Sequence, residues 1–168
     1  MGFKKPLKFI KLKNFRIEFK WAMFYTLLNF LWLYAEKAFG WHSSGASRYA
    51  VYSMIMVIPQ IAVTYFNMRE KSEKFFDGNI EWRKAFFSGV VLSVLIAALS
   101  PVIVYALTEF VSPDFVTTAI EQGVGKGMKE DSAKSLYNMN SLSKQAMFGN
   151  LATGVFWSAI LALFFKKK

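Results

Sequence analysis

The sequence predicts an all-α integral membrane protein, a four-helix bundle with a short helical region in one outer loop. Two observations carry that reading. The first is a composition no soluble domain of this size can hide: 54% hydrophobic, 18% aromatic and 18 Phe in 168 residues, yet a net charge of +10. The second is segregation. Apolar runs of membrane-spanning length alternate with short basic stretches, where a nucleic-acid binder would interleave its Lys and Arg with a soluble fold. Nucleic acid is therefore excluded as a partner, and the lipid bilayer is the implied one.

A bilayer core demands about 20 apolar residues per helix. Four windows meet it, at about 21–39, 49–66, 85–107 and 146–165. Their length and lack of strict alternation exclude barrel strands. Orientation follows from Lys and Arg. The segment 1–20 holds seven of them, the loop between the second and third windows five, and the tail three. That makes fifteen on one side, against Arg48, Lys126, Lys129, Lys134 and Lys144 on the other, with Lys37 near the outer end of the first span. Both termini are therefore expected in the cytoplasm. The basic start is too long, and the apolar run after it too long, for a cleaved signal peptide. Trp21, Trp41, Trp82 and Tyr105 fall where an interface wants aromatic rings.

Local chemistry refines the connections. Asp77-Gly78-Asn79 makes a turn, with Asn79 as a cap and Glu81 in the first turn of the third span. Pro101 is expected to kink that span, and Pro59 lies within the second. The loop 108–145 is too long for a bare connection. Ser112-Pro113-Asp114 reads as the opening of a helix from Pro113 to about Gly123, broken by Gly123, Gly125 and Gly127. Its apolar side, Phe115, Val116, Ala119 and Ile120, would face lipid or the top of the bundle. A second piece covers Lys129 to Met139, before Asn140 or Ser141 caps the last span.

With these spans in place, particular residues become familiar. Glu36-Lys37 leads to Gly40 and His42; Pro59 precedes a charged loop that runs through Gly78, Trp82-Arg83-Lys84-Ala85-Phe86 and Ser88-Gly89. Ser112-Pro113-Asp114-Phe115 follows the third span, and the chain closes on a Lys-rich tail. In order and spacing these resemble domain-of-unknown-function family 4199, small four-span proteins of Bacteroidota, from about Phe15 onward. The resemblance implies a bacterial inner membrane and no known activity. It also implies a membrane or envelope protein partner, since such genes tend to lie near an envelope glycosyltransferase.

Polar residues inside spans are functional candidates by default. Asn29 and Glu36 share one face of the first span with Thr26; Gln60 and Thr64 share one face of the second with Ser53 and Asn67. Gly89, Ser93 and Ser100, and Gly149, Asn150, Thr153, Gly154 and Ser158, give the last two spans similar stripes. These stripes form either a hydrated path or headgroup site, or close helix packing sealed by hydrogen bonds. The packing reading makes Gly89, Ser93, Gly149 and Thr153 close-approach positions.

Glu36 is the sharpest candidate: a proton or cation carrier, an organiser of a site with His42 or Arg48, or a solvated helix end near the outer mouth. His42 is the only histidine and there is no Cys, so neither a zinc site nor any other cofactor is expected. No serine stands in an elbow motif, and Gly123 to Gly127 fails as a phosphate loop because neither Ser nor Thr follows Lys126. The sequence thus points away from an enzyme. Lys4, Lys5, Lys8, Lys11, Lys13 and Arg16, with Lys84, form a basic surface for anionic lipids or a cytoplasmic partner. The first expectation for function is an accessory or scaffolding subunit of an envelope complex; the alternative is a component of a small-molecule, ion or lipid transporter or flippase.

Overall fold

The structure is a computed structural model that describes residues 15–165. The candidate basic residues Lys4, Lys5, Lys8, Lys11 and Lys13 lie outside that range. The described residues are helical throughout, without a strand: α1 (Arg16–Ala38), α2 (Tyr49–Ser53), α3 (Val57–Phe76), α4 (Trp82–Ala106), α5 (Phe115–Gly125), α6 (Glu130–Leu136) and α7 (Met139–Leu163).

Three helical stretches are long and apolar enough to cross a membrane: Ala46–Phe76, Trp82–Val111 and Met139–Leu163. The first joins α2 and α3 through two short 3-10 turns, Ala46–Arg48 and Met54–Met56. Pro59 explains the second of these turns. It lacks an N–H for the Ile55 carbonyl, and its ring crowds that carbonyl, so the backbone tightens just before α3 begins. α1, at 23 residues, is nearly as long as Met139–Leu163, but Asn29, Glu36 and Lys37 lower its hydropathy.

The long helices alternate in direction. α4 packs most extensively on α7, and α1 and α7 take opposite sides of the α3–α4 pair. Glycine permits the α4–α7 contact. A Cβ on Gly89 would lie 2.3 Å from Ser158 Oγ, and one on Gly154 2.4 Å from Ser93 Oγ. Ser93 and Ser158 in turn donate to the Gly89 and Gly154 carbonyls at 2.7 and 2.6 Å, so each hydroxyl is satisfied within its own helix. Gly149 does not belong to this set. It is exposed, with nothing within 4 Å of a built Cβ, and it borders the cavity between the helices and not α4.

Several boundaries differ from the sequence expectation. α4 is capped at Glu81, while Asn79 bonds back to the Asp77 carbonyl within the turn. That turn is made by Asp77 and Gly78 at φ of 50° and 78°, with the Gly78 N–H closing on the Ser72 carbonyl at 3.0 Å. α4 continues through Pro101 to Ala106 and then widens into a π turn, Leu107–Val111. α5 starts at Phe115 after Asp114; it passes through Gly123 and ends at Gly125, and Gly127 follows in the turn at φ 93°. α7 begins earlier than its apolar window because Asn138 caps it, its side chain accepting the Ser141 N–H at 2.9 Å.

α5 and α6 close one end of the bundle, hereafter the capped end. Phe115 and Ala119 are buried against Leu107, Val111 and Leu33, so α5 turns its apolar side to the bundle top. The other end carries the α3–α4 turn and the start of α1 and is the basic end. Large apolar side chains cover the lateral surface, among them Phe24, Leu27, Leu31, Ile58, Phe87, Val94, Phe148 and Phe156.

Candidate functional site

Glu36 ends the inward face of α1, and its carboxylate is 0% exposed. A lone carboxylate so buried is prohibitively unfavourable, and three polar side chains meet this one. Trp32 Nε1, one turn earlier, donates to Oε1 at 2.7 Å, and Ser53 Oγ of α2 approaches the same oxygen at 3.4 Å. His42 Nε2 lies 3.2 Å from Oε2, and its Nδ1 lies 2.8 Å from Ser112 Oγ. Tyr49 and Phe115 wall the imidazole, with ring centroids at 6.0 and 5.8 Å.

The chain reverses sharply to bring His42 back. Gly40 at φ 73° makes the turn that a side chain would strain, and the Ser43 and Ser44 hydroxyls donate to the Gly40 carbonyl at 3.0 Å. Lys37 leans away from Glu36 and donates to the Val111 carbonyl at 2.5 Å, tying α1 to the π turn. Arg48 is exposed and takes no part. Ser112, His42 and Glu36 thus form one hydrogen-bonded series from the capped surface inward. An imidazole can accept a proton at one nitrogen and give one from the other.

On the inward side of Glu36 lies a cavity of about 400 Å³ between α1, α2, the start of α3, α4 and α7. Among the described residues Glu36 is its single charged lining residue, and no Lys or Arg faces it. Asn29, Asn150, Ser100 and Thr153 supply amide and hydroxyl groups, while Tyr25, Trp32, Tyr49 and Tyr137 supply aromatic walls. The polar groups are held in place. Asn29 donates to the Tyr25 carbonyl at 2.9 Å, and Asn150 Nδ2 donates to Ser100 Oγ at 2.9 Å.

The sequence candidates are therefore divided. Glu36 and His42 touch each other, and Asn29 shares their cavity. Gln60 lies beneath it, donating to the Asn150 carbonyl at 2.9 Å and accepting from Thr153 Oγ1 at 2.9 Å. Thr64 stands apart, its hydroxyl donating to the Gln60 carbonyl at 2.8 Å. At the basic end Arg16 is exposed, and Lys84 is ion-paired with Glu81 at 2.8 Å.

Sequence reasoning missed a second buried carboxylate. Glu18, one turn into α1, is 1% exposed. Lys71 Nζ of α3 sits 2.9 Å from its Oε1 and 3.2 Å from its Oε2, and Ser88 Oγ of α4 donates to Oε1 at 2.7 Å. Asn67 Nδ2 donates to Ser88 Oγ at 3.0 Å. The signal was present, since Glu18 and Glu36 are eighteen positions apart, about five full turns, and so share one face of α1. Among the described residues no three His, Cys, Asp or Glu converge as metal ligands.

Fold and site define an all-helical protein in which helices long and apolar enough to cross a membrane surround a buried carboxylate and its cavity. Residues 20–167 match the family described as Protein of unknown function (DUF4199), and the chain belongs to it. No curated protein and no solved structure matches the chain.

Proposed function

We propose that the chain is a four-span protein of a bacterial inner membrane, with both termini cytoplasmic, that binds and carries a small protonated amine with an apolar body. α1 supports the fourth span. Its 23 residues rise about 34 Å, and Met23, Phe24, Leu27, Leu31 and Tyr34 form an exposed apolar side along it. The basic residues favour the cytoplasmic assignment of the basic end.

The observation that carries the ligand class is the cavity lining. A single buried carboxylate, four aromatic rings and several amide and hydroxyl oxygens suit a cation with N–H donors, which gains both charge pairing and ring contact. The absence of lining Lys and Arg disfavours anions. Leu33, Val57, Leu99 and Ile103 complete the wall and suit an apolar body. The test is a tryptophan-fluorescence titration of the protein in nanodiscs with benzylamine, against benzyl alcohol as the neutral analogue. Saturable quenching by benzylamine that Glu36→Gln removes supports the reading; equal response to both compounds, or an unchanged response in the variant, contradicts it.

An accessory role for an envelope protein, such as a glycosyltransferase, is the second reading. The exposed Arg16 and Arg83 at the basic end favour it. Under that reading Arg16→Glu with Arg83→Glu releases a co-purifying partner, while Glu36→Gln leaves it bound.

A further inference from the structure

A cation that enters the cavity from the capped end meets packed side chains below it. Beneath the cavity the bundle closes in two layers. The first is apolar: Ala22, Met56, Val63, Leu92 and Ile96 pack around Tyr25, whose hydroxyl donates to the Met56 carbonyl at 3.1 Å. The second is the Glu18 cluster. It is an expensive arrangement, because a buried ion pair adds little stability over an apolar core of the same volume. It also contains a defect: Asn67 is fully buried, and its Oδ1 has no hydrogen-bond donor among the described residues. A buried, unpaired amide oxygen is rare in a site built only for packing.

Taken together, Glu18 Oε1 and Oε2, Ser88 Oγ and Asn67 Oδ1 are four acceptor atoms in one buried cluster, and the Lys71 ammonium is bound to two of them. We infer that Glu18, Ser88 and Asn67 form a second ammonium site at the basic end, which Lys71 occupies as a tethered stand-in until a free amine displaces it. A free methylammonium carries the same three N–H donors as Lys71 without its tether, so it can turn them among these acceptors. Electrostatics gives the site a purpose. The basic end repels a departing cation, and a buried carboxylate with one helical stripe linking it to Glu36 offsets that repulsion along the route. The inference builds on the amine-carrier reading, and its test is separable from it.

The test is chemical rescue of the full chain in detergent. Lys71→Ala empties the site and lowers the melting temperature. Methylammonium chloride should restore most of that loss saturably, and tetramethylammonium chloride, with the same charge and no N–H, should not. Glu18→Gln combined with Lys71→Ala should show no methylammonium response. Should Lys71→Ala fail to fold, Lys71→Met keeps the apolar stem and allows the same comparison. Equal effects of the two salts, no rescue, or undiminished rescue in the double variant would each overturn the site. Benzylamine affinity at the cavity is measured in the same Lys71 variant and should stay within about twofold of the parent. Failure of that binding in the parent sinks the carrier reading while leaving the rescue result to decide the second site.

Discussion

His42→Ala removes one partner of the buried pair and leaves Glu36 in place. The carboxylate keeps Trp32 Nε1 at 2.7 Å and Ser53 Oγ at 3.4 Å, but loses the imidazole at 3.2 Å. Leaving a buried polar group short of one hydrogen-bond partner costs about 1–3 kcal/mol. Glu36 is 0% exposed, so no water stands ready to replace the imidazole, which places the loss at the upper end, about 3 kcal/mol. For a chain of this size that is a fall of about 6–12 °C in melting temperature. Glu36→Gln in the same background replaces the carboxyl left short of a partner with an amide that is less costly to bury, and its oxygen still accepts from Trp32 and Ser53. The double variant should therefore be more stable than His42→Ala alone, by about 1–2 kcal/mol. Thermal unfolding in detergent, followed by tryptophan fluorescence, measures both. A double variant less stable than His42→Ala would refute the claim that Glu36 and His42 act as a coupled buried pair.

Two further predictions concern packing and topology. Gly154→Leu drives a side chain into Ser93 and Gln60 and should destabilise by at least about 1–3 kcal/mol, whereas Gly149→Leu, into open space, should be mild; melting temperatures compare them. In whole cells, cysteines at the exposed Ser44 and Ser132 should react with an impermeant thiol reagent and one at the exposed Asp77 should not. Ser72 is unsuited to that comparison because it is buried. Labelling of the Asp77 cysteine in intact cells would reverse the proposed orientation.

Much of the fold was legible because long apolar runs and caps are local signals. The window at 85–107 lies inside the helical stretch Trp82–Val111, and the loop 108–145 contains two short helices as its Ser-Pro-Asp and charged patterns suggest. Helix ends were less legible. Asn79 and Asn138 are equally good caps by residue type, but only Asn138 finds an orphan N–H. The site was legible one helix at a time. Glu36 and Asn29 follow from helical spacing, but their meeting with His42 and Ser112 depends on a turn at Gly40 and a docking of α5 that no period encodes. Gly149 and Gly154 show the same limit: both are small residues on α7, and only the position of α4 tells which one is a contact. Glu18 was overlooked for a different reason. It sits among Lys and Arg near a span's end, where a carboxylate is ordinarily solvated.

The most direct test of the carrier reading is benzylamine-driven transport in proteoliposomes on a solid-supported membrane. A concentration jump should give a saturable current with the parent protein, with no current from Glu36→Gln despite an unchanged fold by circular dichroism. A current from Glu36→Gln equal to the parent's, or none from a parent shown to bind benzylamine, would contradict the reading.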